Sequence, residues 1–350
     1  MQEQALLWDV DGVLIDVSNS YRKAIADTAT YYIRKLIGVG EGPIIEASDI
    51  QGFKLAGGFN NDWLLTEGVI KCWLGKVVHG ADVSWVAELS AGGLDERMLK
   101  LKQLGRAIKD SSSPDWSKFT SAIKRKGGGM DGLDEVVADV IRMDGLRVVN
   151  SFVFPEVVKS VFQEYYLGEK FFVEAYGKPP YFVREVGHIR QERPFVSSET
   201  LRRLNERYAF GVVTGRPALE AKYAVDNNNW IEFFDEDAIL CDEDRIKAEE
   251  EHYQRTGERV SLGKPNPFLL TRCGEILRKK YPLTGSKPSY YVGDLPDDAK
   301  AAKAAGLTPV GVLYHVKDEE AREELRLQFE RENGFILVEN MVDYAKVIRG

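Results

Sequence analysis

Asp9 and Asp11 stand two residues apart, directly after a short apolar run at 5–8. If that run is a buried strand, residues i and i+2 project to the same side. Both carboxylates then face one spot, and Val10 turns away. Thr214 ends a second apolar run, Tyr208–Val213, and Asp294 follows a third at 290–292. Lys264 sits just before Pro265 and a helical stretch. Open parallel sheets place their ligand sites at the carboxyl ends of strands, so these groups are expected to meet at one edge. Two unit charges about 4 Å apart repel by roughly 4 kcal/mol at an effective dielectric near 20. A cluster of Asp9, Asp11, Asp294 and Asp298 therefore calls for Lys264 and a hard divalent cation to offset it. Oxygen ligands without histidine favour Mg2+ over zinc. That chemistry suits phosphoryl transfer, which is met mainly by positioning and charge neutralisation. An aspartate nucleophile splits the reaction through an aspartyl-phosphate. A second carboxyl can protonate the leaving oxygen and then activate water. The Thr214 hydroxyl, backbone N–H groups and Lys264 can hold the phosphate.

The elements that must position these groups alternate. Apolar runs at 5–8, 208–213, 239–241, 290–292, 310–313 and 336–338 read as strands. Helices are expected from Ser197 through Leu204 and at 217–227, 267–280 and 297–305, the last stopped by Gly306. Such alternation predicts an α/β fold, a Rossmann-like parallel sheet covered on both faces. The segment 18–195 differs. Helix-like runs at 21–37, 62–74, 95–108, 134–141 and 156–172 are separated by polar or glycine-rich stretches such as 124–129, which reads as a flexible loop. The predicted organisation is a catalytic core of 1–17 and 196–350, with a mainly helical domain of 18–195 inserted after the first strand.

Composition narrows the function classes. A length of 350 residues fits two domains. The net charge of −8 disfavours a polyanion binder but permits a small phosphorylated ligand. No apolar run reaches the roughly 18–20 residues of a membrane span, and the first residues lack the features of a signal peptide. Cys72, Cys241 and Cys273 are far apart, which favours a reduced, cytoplasmic chain. His79, His188, His252 and His315 share no ligand spacing. The expected partner is a small phosphorylated metabolite, with no nucleic acid and no membrane. The oligomeric state stays open.

Four segments taken in order carry a resemblance: Asp9-Val10-Asp11-Gly12-Val13-Leu14, Val212-Val213-Thr214-Gly215-Arg216, Gly263-Lys264-Pro265 and Val292-Gly293-Asp294-Leu295-Pro296-Asp297-Asp298. Together they resemble the motifs of the haloacid dehalogenase superfamily. The resemblance covers the core and implies Asp9 as nucleophile and Asp11 as general acid/base. It implies Thr214, Gly215 and Lys264 as phosphate-binding residues. Mg2+ would be held by the Asp9 carboxylate, the Asp11 backbone carbonyl and Asp294, with Asp298 behind them or bound through water. An acid two residues after the nucleophile resembles the phosphatase and phosphomutase branches. The insertion after the first motif resembles the cap of one large group within them, although 18–195 exceeds the usual four-helix cap. The resulting expectation is a Mg2+-dependent phosphomonoester hydrolase. The alternatives are a sugar phosphomutase and, in another class, a non-catalytic phosphate-binding or regulatory module.

Within the inserted domain, Lys54, Asn60 and Asn61 are candidate substrate contacts; a turn with a helix N-cap is the simpler reading of that stretch. Arg184, Arg190 and Arg193 could grip an anion or form a solvated hinge. One of Asp297 and Asp298 is expected to cap the helix that follows.

Overall fold

The computed structural model describes residues 2–59, 61–78, 93–283, 289–332, 334–340 and 344, with backbone alone at 142–144. The chain divides into two compact units, Met1–Val17 with Arg193–Gly350, and Ser18–Glu192.

The first unit is built on six parallel strands. These are β1 (Gln4–Trp8), β4 (Tyr208–Val213), β5 (Ile239–Leu240), β6 (Tyr290–Gly293), β7 (Thr308–Val312) and β8 (Ile336–Val338). Their order is β5-β4-β1-β6-β7-β8, so β1 lies in the interior of the sheet between β4 and β6. Two short strands, β2 (Ile15–Asp16) and β3 (Arg193–Pro194), pair antiparallel where the chain leaves and re-enters this unit. The returning segment of this unit starts at Arg193, the first residue of β3.

Side-chain alternation splits the core in two. Leu6, Trp8, Phe210, Val212 and Val292 bury one face of the sheet. Leu7, Val213, Tyr291, Leu270 and Cys273 bury the other. The strands are apolar on both sides because helices cover both. Those helices are α8 (Ser198–Asn205), α9 (Ala218–Asn227), α10 (Asp242–Thr256), α11 (Phe268–Lys280), α12 (Pro296–Ala304) and α13 (Glu319–Arg331). Ser197 caps α8, its Oγ accepting from Thr200 N at 3.1 Å. Pro217 and Pro267 are the N-caps of α9 and α11 and so lie just outside the helices. The acidic stretch after Asp235 contains α10, which its low apolar content concealed.

The second unit is helical: α1 (Tyr21–Tyr31), α2 (Ala47–Ala56), α3 (Asp62–Val78), α4 (Leu94–Ala107), α5 (Trp116–Arg125), α6 (Gly129–Ser151) and α7 (Pro155–Tyr176). Tyr32–Ile37 prolongs α1 as a π-helical segment. Glycines here serve packing. A Cβ on Gly68 would lie 2.7 Å from Leu133 Cδ1, and one on Gly75 3.1 Å from Val137 Cγ1, so α3 meets α6 at glycine faces. The stretch 124–129 is a packed turn, with Gly129 N donating to Gly57 O at 2.7 Å. Trp73 is fully buried in this unit, whereas Trp63 is partly buried beneath Lys159, whose Nζ lies 3.6 Å from the ring centroid. Trp85 and His79 lie outside the described residues.

Candidate active site

The site forms at the carboxyl ends of β1, β4 and β6. Asp9 follows β1 and continues its ladder, its N–H donating to Val292 O at 2.9 Å. Val10 packs into the opposite core face, as alternation requires. The chain then turns sharply: Val10 O accepts from the N–H groups of Leu14 and Ile15 at 2.9 Å each. Gly12 makes the turn at φ +72°, where L side chains are strained. Space imposes the same choice, because a Cβ there would lie 2.3 Å from Asp294 Oδ2.

Lys264 enters from the segment before α11, on the Leu7 and Tyr291 side of the sheet. Its Nζ lies 2.5 Å from Asp9 Oδ2, 2.8 Å from Asp298 Oδ1 and 2.8 Å from the Tyr291 hydroxyl. Tyr291 OH in turn lies 3.3 Å from both Val213 O and Asp298 Oδ1. Asp298 occupies the first turn of α12 and is buried. Its Oδ2 accepts from Asp294 N and Leu295 N at 3.1 and 3.0 Å, fixing the loop that carries Asp294. The N-cap of α12 is Leu295, so neither Asp297 nor Asp298 holds that position. Asp297 turns outward to Lys300, and Asp298 is the acid that joins the site. Gly293 makes room for it, since a Cβ there would lie 2.2 Å from Asp298 Cβ.

Asp11 takes a different partner from Asp9. Arg216 Nε donates to Asp11 Oδ1 at 2.7 Å, and Nη2 lies 2.5 Å from the same oxygen. The Arg216 side chain is wholly buried, whereas that of Asp11 is 34% exposed. Thr214 follows β4 and is buried. Its Oγ1 accepts from Arg216 N at 3.2 Å, which leaves the hydroxyl proton available to a ligand. Gly215 is exposed at this edge.

Burial, with crowding by like charges, shifts the Asp9 and Asp294 carboxyls upward. Burial pushes Asp9 up to about 6; Asp298 and Asp11 add to the shift and Lys264 opposes it. Burial, with Asp298 and Asp9, holds Asp294 well above the usual carboxylate range. Burial lowers the Lys264 ammonium, but Asp298 and Asp9 outweigh it and hold Lys264 well above its ordinary value. Ligand atoms of Asp9, Asp294 and Asp298 all lie within 4.8 Å of one another. Among the described contacts of Asp9, Asp11, Asp294 and Asp298 the full cations are Lys264 and Arg216, so acids outnumber cations at this edge. An oxygen-only, buried and electron-rich group of this kind fits a hard divalent cation.

Asp9, Asp294, Asp298 and Lys264 thus converge, with Thr214 and Gly215 on the neighbouring strand end and Asp11 held to one side by Arg216. Three participants escaped the sequence reading. Arg216 lay in plain view two residues after Thr214. Tyr291 could have been found from its parity with Leu7 and Val213. His315, set aside for lack of spacing, places Nε2 3.6 Å from Asp294 Oδ2.

The candidates in the helical unit have local partners. Lys54 Nζ lies 2.5 Å from Asp62 Oδ1 and donates to Phe59 O at 3.1 Å. Asn61 Oδ1 accepts from Leu64 N at 3.0 Å, a capping contact at the start of α3. Asn60 lies outside the described residues. Arg190 lies over the Phe171 ring, 5.5 Å from its centroid.

Comparison with known proteins adds the family. A 67-residue stretch is 46% identical to the imidazoleglycerol-phosphate dehydratase of Phytophthora nicotianae; it makes up 19% of this chain and spans only 13% of that protein. An X-ray structure of a Northeast Structural Genomics Consortium target superposes with a TM-score of 0.67 at 19% identity, covering 99% of this chain and 98% of the other, and so shares the fold. Phosphatase Tt82 from Thermococcus thioreducens matches with a TM-score of 0.47 at 22% identity, over 92% of this chain and 98% of its own. The family model for haloacid dehalogenase-like hydrolases matches residues 3–306, nearly the whole of the chain. With that match and a parallel sheet whose β1, β4 and β6 ends carry three of the motifs, the fourth lying just before α11, the chain belongs to the haloacid dehalogenase-like hydrolase family.

Proposed function

We propose that the protein is a Mg2+-dependent phosphomonoester hydrolase that acts on a small phosphorylated metabolite through an aspartyl-phosphate. The supporting observation is the setting of Asp9: a buried carboxylate at the end of an interior strand, held between Lys264 and two further carboxylates. Asp9, Asp294 and the Asp11 backbone carbonyl would hold the cation, with Asp298 beside them. When bound, Mg2+ would supply neutralisation of the non-bridging phosphoryl oxygens.

Asp9 Oδ attacks phosphorus. The new O–P bond forms as the bond to the ester oxygen breaks, and that oxygen leaves with the electron pair and takes a proton from Asp11. Water then attacks phosphorus, gives a proton back to Asp11 and releases inorganic phosphate with Asp9 restored. Lys264 and the Thr214 hydroxyl donate to the phosphoryl oxygens, and Lys264 also keeps Asp9 from being isolated among like charges. The helical unit Ser18–Glu192 takes the role of a cap that selects the leaving group.

A panel of phosphate esters assayed with Mg2+, with and without EDTA, tests the reading. Turnover that EDTA abolishes is expected. Silence across the panel would favour a binding module instead. Product analysis with a bisphosphorylated sugar separates hydrolysis from the phosphomutase alternative, since only the hydrolase releases inorganic phosphate.

A further inference from the structure

Arg216 grips Asp11 in an unusual way. Its contacts with the carboxylate, Nε at 2.7 Å and Nη2 at 2.5 Å, land on the same oxygen, Oδ1. A side-by-side guanidinium–carboxylate pair would engage both oxygens. Here Oδ2 is left out of the pair, on a side chain that is one-third exposed, while the guanidinium itself is wholly buried. Arg216 is in turn fixed through its backbone: its N–H donates to Thr214 Oγ1 at 3.2 Å, and its carbonyl accepts from Asp242 N at 3.0 Å. The cation is therefore a rigid seat rather than a mobile surface arginine. It reaches Asp11 from the β4 end, opposite in role to Lys264, which serves Asp9 and Asp298.

We infer that Arg216 is a positioning residue for proton transfer: it clamps Oδ1 of Asp11 and so reserves Oδ2 to give a proton to the departing ester oxygen and to take one from the attacking water. This rests on the phosphatase reading above. The clamp also accounts for the separation of the two acids of the first motif. Without it, the Asp11 carboxylate would be free to swing toward the anionic group of Asp9, Asp294 and Asp298. A fixed Oδ2 spares the enzyme the search for a productive rotamer at each half-reaction.

Proton donation matters in proportion to how poor the leaving group is. A series of substituted phenyl phosphates, from dinitrophenyl to unsubstituted phenyl, varies that property while the shape stays similar. The measurement is kcat/KM, which reports the steps through loss of the phenol, for wild type, Asp11→Asn, Arg216→Gln and Arg216→Lys. Comparison of esters within one preparation cancels any loss of folded protein. Wild type should show a shallow dependence on leaving group. Asp11→Asn should steepen it, and Arg216→Gln should do the same, losing about tenfold more on phenyl than on dinitrophenyl phosphate. Arg216→Lys, which keeps the charge and can reach one oxygen, should recover part of that difference. If Arg216→Gln lowers every ester by one common factor, or none, Arg216 does not position Asp11 and the inference fails alone. If Asp11→Asn leaves the dependence unchanged, the acid role of Asp11 falls and the inference with it. If wild type hydrolyses no ester, the phosphatase reading itself is overturned.

Discussion

Two buried acids, one in each unit, differ in what surrounds them. Glu164 of α7 has no exposed surface, yet every contact it makes is a donor. Its Oε1 accepts from Tyr181 N at 2.9 Å and Ser160 Oγ at 3.1 Å, and its Oε2 from Phe182 N at 2.6 Å and Val183 N at 2.7 Å. It ties the segment at 181–183 to the helix. Asp9 is buried as well, but its surroundings combine one lysine with further carboxylates, and burial carries it up to about 6. Burial by itself therefore marks nothing. An acid surrounded by N–H groups is an anchor, while an acid crowded by other acids leaves charge for a ligand to neutralise.

The sharpest way to break this contrast is to remove each acid. Asp9→Asn should reduce phosphate-ester turnover by about 10⁴-fold or more, while the metal-free protein keeps its thermal midpoint or gains, since one like charge disappears. Turnover near wild type would refute Asp9 as nucleophile. Glu164→Ala should behave inversely. It strands the N–H groups of 181–183 and should cost about 3 kcal/mol in urea unfolding, with activity per folded molecule retained. A loss below about 1 kcal/mol would show that the anchor is dispensable.

A third prediction concerns pH. Because Asp9 is raised to about 6 in the folded protein, it holds a proton there that the unfolded chain releases near 3.8. The metal-free protein should thus lose stability as pH rises from about 4 to about 6. A divalent cation must displace that proton, so its apparent affinity should weaken by about tenfold per pH unit below about 6. Calorimetric titration with Mg2+ across that range measures both the affinity and the protons released; an affinity flat from pH 5 to 7 would contradict the crowding of Asp9. The smallest effect is expected at Lys71, paired with Asp134 at 2.9 Å between α3 and α6. Lys71→Met should cost about 0.5–1 kcal/mol, as for a partly exposed pair, with no change in turnover.

Much of the core was legible. Short, continuously apolar runs lead into Asp9, Thr214 and Asp294, and each run is a strand of the sheet. The helical unit was less so. Its runs at 134–141 and 62–74 proved to be parts of longer helices, because Gly129, Gly132, Gly145 and Gly75 look like breaks in sequence yet lie within helices. Helix propensity counts glycine as a cost of about 1 kcal/mol, but close packing of α3 on α6 outweighs it. Helices α2 and α5 were missed outright: each is only ten residues long, and α2 also has a weak apolar pattern.

That Asp9, Thr214 and Asp294 stand at the ends of strands could be read from residue type and spacing, because a short apolar run is a local property. Which acid meets which cation could not. Lys264 reaches Asp9 across 255 residues and Arg216 reaches Asp11 across 205. Those pairings depend on the order β5-β4-β1-β6, on the face of the sheet from which each cation arrives, and on the turn at Gly12 that sends two neighbouring aspartates to different partners. Such choices follow from packing among distant segments, and no window of sequence contains them.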